Sequence, residues 1–508
     1  MTDGTDSGNN VNWFFAGSDS ISGTVYSDEG ISPVAAGEPV AMYFYYATGS
    51  NLTLDTTTDA LGAYSFTGLD IDTGDIVSAY LNESSYEATT TSNFDDATSV
   101  ADFDLYAGDV IIRSDSATAI SNTDLDNADD GDADIHYNAS GGNLSIDSGY
   151  KLLVWTGDTF TPAGDITVTA ADCEIDGTLN INDNTLTIAT SGTLDVDGTL
   201  TITSGSVDLC SHLDNAGTIN AGSGSINLEG NWTNTGIFTA GTSTVTFDGT
   251  SIIITGGTAD TQDFNDVVIT GTATLSTNPI DIDGNLDITG TLDAAGLDIY
   301  LEGDWTNTGT FTAGTSTVTF DGASSSTLIS GGDVNPFYDL VINKVSAVDA
   351  DDNLTLQVDD VTITGSLTIT DGELVQDSID LTTGAVTLSD TTSKWTNSED
   401  GDVTLSGDVS NAGTITFDGL TGDGILIRSS VDATQRNWQA AAGGGTFSMT
   451  DVDVKDQTCI GGTPDYIEVT DGTDSGNNVN WFFAVSGCYS YVTCRRECVP
   501  GPDKKLIA

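Results

Sequence analysis

Residues Leu179–Ile202 read LNINDNTLTIATSGTLDVDGTLTI, and the architecture follows from their spacing. The apolar residues come in pairs around one polar residue: Leu179/Ile181, Leu186/Ile188, Leu194/Val196 and Leu200/Ile202. Side chains alternate across a strand, so each pair marks a short strand with one buried face. The pairs follow one another closely, and the turn formers Gly, Asp and Asn are prominent in the gaps. Three strands then make one coil, which begins at Leu179 and returns at Leu200. The rhythm comes back at Leu354/Leu356, Val361/Ile363, Leu367/Ile369 and Leu374, a coil of nearly the same length. A coil of this size cannot bury its apolar stripe alone, whereas coils stacked at about 4.8 Å bury it against each other. The pattern predicts a parallel β-solenoid over residues 108–484, of about 16 to 18 coils and about 80 Å.

Composition agrees with an all-β chain. Of 77 acidic residues in 508, 66 are Asp and 11 Glu. Asp favours turns and Glu favours helix, so helix is expected to be scarce. Only 11 Lys and Arg oppose them, giving a net charge of −66. That excludes nucleic acid as a partner, since phosphate needs cationic side chains, and it suits a saline or calcium-containing exterior that screens self-repulsion. Met1 is followed by a polar run, and no stretch is apolar for the length of a membrane span, so neither a signal peptide nor a span is read here. An export signal is expected to lie outside this chain. Cys173, Cys210 and Cys459 are far apart, while Cys488, Cys494 and Cys498 crowd the C-terminus, where one disulfide would leave a thiol over.

Two longer repeats overlie the coils. TDGTDSGNNVNWFFA at Thr2–Ala16 recurs unchanged at Thr470–Ala484. Residues 1–16 are therefore read as the closing segment of a preceding module, and the chain as one period of a tandem array. LEGNWTNTGIFTAGTSTVTFDGT at Leu228–Thr250 returns as LEGDWTNTGTFTAGTSTVTFDGA at Leu301–Ala323, differing only where Asn231, Ile237 and Thr250 become Asp304, Thr310 and Ala323. Each copy is followed by a Gly pair and then FNDVVIT from Phe264 or FYDLVIN from Phe337. Residues 485–508 carry Arg495, Arg496, Lys504 and Lys505 among Cys and Pro, a tail or the start of another module that does not match the body.

Residues 17–107 read as a β-sandwich. Val40, Met42, Phe44 and Tyr46 alternate as in a strand, and further strands are read at 21–27, 63–67, 76–81 and 102–106. SGTVYSDEGISPVAAGEPVAMYFYY at Ser22–Tyr46 and TDALGAYSFTGL at Thr58–Leu69 resemble the carboxypeptidase regulatory-like and collagen-adhesin B-type domains. The resemblance implies a transthyretin- or Ig-like spacer module without catalysis. Some relatives carry a Lys–Asn isopeptide bond, which is excluded here because the first lysine is Lys151. Beyond residue 145 the repeats resemble the parallel β-helices of large bacterial surface proteins of the adhesin type, which implies location and shape more than activity.

Candidate sites are few. β-Helical enzymes cleave acidic polysaccharides, and a lyase needs a cation or imidazole to neutralise the substrate carboxylate and abstract a proton. The solenoid offers only Lys151, Lys344, Lys394, Arg428, Arg436, Lys455, His136 and His212, scattered along the chain and each read as structural. The acidic run at Asp124–Ile135 sets Asp126, Asp130, Asp132 and Asp134 around Gly131, where their oxygens are candidate calcium ligands. Ala128 at the third position and the missing closing Glu depart from an EF-hand loop, and the competing reading is a solvated acidic loop. Trp232 and Trp305 stand at equivalent places in the strong repeats, either to stack on glycan rings or, the favoured reading, to pack at coil corners.

The expectation is therefore a non-enzymatic, extracellular structural or adhesive module of a cell surface. It requires no cofactor, with calcium the one candidate. Its partners are neighbouring copies of the module, or a surface or matrix glycan or protein, without membrane insertion. The alternatives are a self-assembling filament or surface-layer subunit, and a polysaccharide-binding or polysaccharide-cleaving β-helix.

Overall fold

In a computed structural model, residues 18–96, 99–256, 263–329, 336–345, 352–422, 424–441, 444–461 and 466–484 are described. Residues 1–16 and the cysteines at 488, 494 and 498 lie outside them. Strand takes 54% of the described residues and helix 2%, so the class is all-β. The chain divides into two compact units, residues 1–278 and 279–508.

The first unit begins with two groups of strands. Ala63–Leu69 pairs antiparallel with Asp19–Tyr26. Leu52–Thr57, Pro39–Tyr45, Ile76–Leu81 and Thr89–Phe94 form a second, antiparallel set. Ile21, Val25, Val40, Met42, Phe44, Phe66 and Phe94 belong to one buried cluster. The strand Thr89–Phe94 was not read from the sequence, because five of its six residues TTTSNF are polar although all six are buried. Their hydroxyls find partners, for instance Ser78 Oγ with Thr91 Oγ1 at 2.7 Å and Thr90 Oγ1 donating to Asp104 O at 2.5 Å, which removes the penalty of burying them. This strand pairs on its other edge, in parallel, with Asp109–Asp115. The second antiparallel set therefore runs without a break into the solenoid wall.

From there the unit is a parallel solenoid. Cys173, Leu179 and Leu186, one from each wall, pair in register with Leu194, Leu200 and Val207, the coil length expected from the sequence. The next coil is slightly shorter, as Leu194, Leu200 and Val207 meet Leu213, Ile219 and Ile226. The inward residues of these coils are buried, and the outward ones are mostly Thr, Asn, Asp and Ser. The second unit repeats the construction with looser coils. Leu286 still meets Trp305, but Leu340 returns only at Leu367. Near the end the return is longer again, with Ile415 meeting Phe447. The single α-helix among the described residues, Asn122–Asn127, is six residues long and is held by a capping box on Ser121 and Asp124.

Glycine at the corners makes turns, as at Gly222 and Gly241 with φ of 59° and 64°, and also leaves room between coils. Gly198 and Gly217 lack left-handed φ values. A Cβ on Gly198 would lie 2.0 Å from Gly177 O, and one on Gly217 would lie 2.2 Å from Gly198 O. The corner is a column of glycines because the coils approach too closely for any side chain.

Candidate functional site

The strong repeat builds an aromatic core. Trp232 begins strand Trp232–Asn234 and points inward; its ring lies 5.0 Å from Phe238 and 5.1 Å from Phe264. In the second unit Trp305 lies 4.9 Å from Phe311 and 5.2 Å from Phe337. The two repeats thus reproduce one triad, and the FNDVVIT and FYDLVIN motifs recur because each supplies its third ring. Both tryptophans have 0% exposure, so neither ring has a face for a sugar. Glycan stacking at Trp232 and Trp305 is corrected to packing. The Asn of each WTN sequence is also structural. Asn307 Oδ1 accepts from the Gly309 N–H at 3.1 Å, and Asn215 Nδ2 donates to Asn234 Oδ1 of the next coil at 2.7 Å.

The acidic run folds on itself. Asp126 sits on the short helix, exposed. Asp130 Oδ1 accepts from the Asp132 N–H and Asp132 Oδ1 from the Asp134 N–H, both at 3.1 Å. Asp134 Oδ2 accepts from the Glu83 N–H at 2.5 Å. These are turn-making hydrogen bonds that use oxygens a cation would need. Among the described residues no three His, Cys, Asp or Glu side chains are gathered as metal ligands.

Two of the scattered basic residues are brought into clusters, both where the antiparallel strands meet the solenoid. Lys151 Nζ lies 2.6 Å from Glu29, 2.6 Å from Glu174 and 3.4 Å from Asp109. Asp109 is nearly inaccessible, and its carboxyl is pushed up to about 7, first by burial and against the pull of Lys151. Burial would lower the Lys151 pKa, but the hydrogen bonds to Glu174 and Glu29 and the charge of Asp109 outweigh it and raise it. Beside it His136 Nε2 meets Glu87 Oε2 at 3.0 Å and Nδ1 lies 3.6 Å from Asp147, with Tyr150 stacked on the ring at 4.0 Å. No spacing in the sequence signals this gathering, because Glu29 and Lys151 are 122 residues apart. The arrangement is a clamp: Glu29 and Glu87 come from the antiparallel part, and Lys151 and His136 from the solenoid.

Four more of these residues make contacts within the fold. Lys344 is buried and donates to Glu302 O at 3.1 Å and Ser324 O at 2.8 Å, and burial holds its pKa below the usual lysine range. His212 Nδ1 accepts from the Asn231 N–H at 2.8 Å. Arg428 pairs with Asp453 at 3.0 Å and Lys455 with Asp432 at 2.5 Å.

On the outer wall of the first unit, Glu174, Asp195 and Asp214 stand directly above one another. Asp195 is pushed up to about 6, first by burial and then by the charges of Asp197, Asp214 and Glu174. Another wall carries a shallow groove lined by Asp183, Thr185, Ser204, Ser206, Ser225 and Thr244, in which Thr185 and Ser206 share a hydroxyl contact at 3.0 Å.

Among the described residues no helix is long and apolar enough to cross a membrane. Set against protein-family models, curated proteins and solved structures, the chain matches none.

Proposed function

We propose that the chain is an extracellular structural or adhesive module of a cell-surface protein. The antiparallel strands, read as a transthyretin- or Ig-like sandwich of the adhesin type, act as spacer, and the solenoid acts as a stiff extension. The observation that carries this reading is the use made of the side chains. Inward residues are spent on the core of each unit, and Lys151, Arg428 and Lys455 are spent on ion pairs between segments. The outward faces are acidic or hydroxylic, which favours solubility and separation from neighbours. Labelling of intact cells of the source organism with an antibody to the chain tests location. Surface labelling is expected. Labelling only after lysis would overturn the reading.

Polysaccharide binding is a second reading, favoured by the hydroxyl groove, which repeats one or two hydroxyls on each coil. Retention of the chain on an immobilised neutral polysaccharide, lost in Ser206→Leu/Ser225→Leu, supports it; no retention on any glycan removes it.

A further inference from the structure

One wall of the first unit carries no charge. Strands Thr159–Phe160, Thr178–Asn182, Thr199–Ile202, Thr218–Asn220 and Ile237–Thr239 form a separate five-stranded parallel sheet. Its outward residues stand in register, in two columns. Thr159, Thr178, Thr199 and Thr218 make one column, which Ile237 closes. Asn180, Thr201, Asn220 and Thr239 make the other. In a chain of net charge −66 these positions hold neither Asp nor Glu, whereas the outward column of the preceding wall holds Glu174, Asp195 and Asp214. Acid returns at the flanking corners, as at Asp176, Asp183 and Asp197.

The hydroxyls of this wall are uncommitted. Among the described residues, Thr178, Thr199, Thr201 and Thr218 make no side-chain hydrogen bond within the fold, and all four are half-buried. Behind them Leu179, Leu200 and Ile219 have 0% exposure, so the rows stand on a close-packed core and keep their places. Neighbouring coils are about 4.8 Å apart and the two columns, two residues apart along a strand, about 6.6 Å.

These features specify an occupant. It is uncharged, because the wall is a neutral area on an acidic molecule. It both donates and accepts hydrogen bonds, as Thr and Asn do. It also repeats in two directions, because an irregular ligand gains nothing from rows of like residues. A sugar ring meets a poor surface here: Phe160 and Phe238 point inward and are buried, which leaves no aromatic face for stacking. Crystalline water meets all three conditions, with oxygens in regular rows at spacings of comparable size.

We propose that this wall, centred on Thr199, Thr201 and Thr218, binds ice. Each contact is weak, and adhesion comes from many being made at once. The inference goes beyond the module reading and does not depend on it.

The test uses the full chain with reductant present. The native chain is expected to open a gap between the melting and freezing points of a seed crystal and to arrest recrystallisation in frozen sucrose solution. Thr199→Lys/Thr218→Lys sets two ammonium groups side by side in one column and is expected to raise the concentration needed about tenfold or more. Thr167→Lys/Thr187→Lys, an equivalent neighbouring pair on another wall, is expected to act as the native chain does. Melting followed by circular dichroism establishes that each variant is folded, and Thr199→Lys alone replaces the first pair if that pair is not. A native chain that leaves ice growth and recrystallisation as they are in buffer overturns the proposal. Equal activity in the two lysine pairs does so as well. Retention on a neutral polysaccharide that Thr199→Lys/Thr218→Lys abolishes, with ice growth unaffected by any chain, assigns the wall to sugar and also overturns it.

Discussion

Trp232 and Trp395 are both fully buried, yet their indole nitrogens differ. Trp232 Nε1 has no hydrogen-bond partner, whereas Trp395 Nε1 donates to Gln376 Oε1 at 3.1 Å. The Gln376 amide is itself anchored, with Nε2 donating to Ile379 O at 2.8 Å and Asp402 O at 3.0 Å, so it cannot turn to another donor without losing those bonds. Replacing either tryptophan by phenylalanine removes a similar volume and leaves a similar void. Trp395→Phe also orphans a buried acceptor, at about 1–3 kcal/mol, while Trp232→Phe removes an unpaired buried donor and is relieved of a cost of the same kind. The prediction is that Trp395→Phe destabilises its coil by about 1–3 kcal/mol more than Trp232→Phe does. Stacked repeats open locally, so a single melting midpoint averages the effect away. Hydrogen exchange read on peptides over Val375–Phe417 and Leu213–Phe247 isolates it, and the difference corresponds to roughly a tenfold to hundredfold greater loss of protection around Trp395. Equal losses, or a greater loss around Trp232, would refute the argument from hydrogen bonding.

Three further outcomes follow from the geometry. Gly217→Ala places a Cβ 2.2 Å from Gly198 O and is expected to cost about 1–3 kcal/mol or more, seen as faster proteolysis near Gly217, and Gly222→Ala, which places a Cβ 2.4 Å from Thr203 O and has also to adopt a left-handed φ of 59°, is expected to cost about 1–2 kcal/mol beyond that. Asp109 titrates near 7 in the fold against 3.8 ordinarily, so the folded state takes up a proton the unfolded chain does not; stability is complete below about pH 4 and is lost as pH rises through about 7, by at most about 4 kcal/mol. Asp109→Asn is expected to flatten the urea midpoint between about pH 4 and about pH 7, and an unchanged slope would contradict the clamp. Calcium added to the chelator-treated chain is expected to raise melting no more than magnesium at the same ionic strength, since Asp130, Asp132 and Asp134 already accept backbone N–H groups; a calcium-specific rise would restore the loop as a site.

The coils were legible because a solenoid writes its core as a short alternation repeated at nearly constant distance, and Leu179–Ile202 carries it without interruption. What stayed hidden has physical causes. Thr89–Phe94 is polar and buried, so alternation of polarity could not mark it, and its hydroxyls find partners only once Tyr137, Asp104 and Asp115 are folded around it. The repeated Trp was visible, but its burial depended on Phe264 and Phe337, which lie beyond each repeat. Glycine at the corners suggested turns, and the structure shows both turns, as at Gly222 and Gly241, and close approach, as at Gly198 and Gly217. The clamp of Lys151 joins residues distant in sequence and has no local pattern.

Disulfide trapping at outward positions, read by mass spectrometry, reports without intermediaries whether the coils stack in parallel and in register. Thr201 faces Asn220 one coil on in the first unit, and Thr368 faces Thr387 in the second; in-register strands lie about 4.8 Å apart, within the roughly 4.4–6.8 Å that a disulfide spans. The cysteine pairs 201/220 and 368/387 are expected to close under mild oxidation, and 201/239, two coils apart, is expected to stay open. Closure of 201/239 in preference to 201/220, or no closure at either in-register pair, would contradict the solenoid.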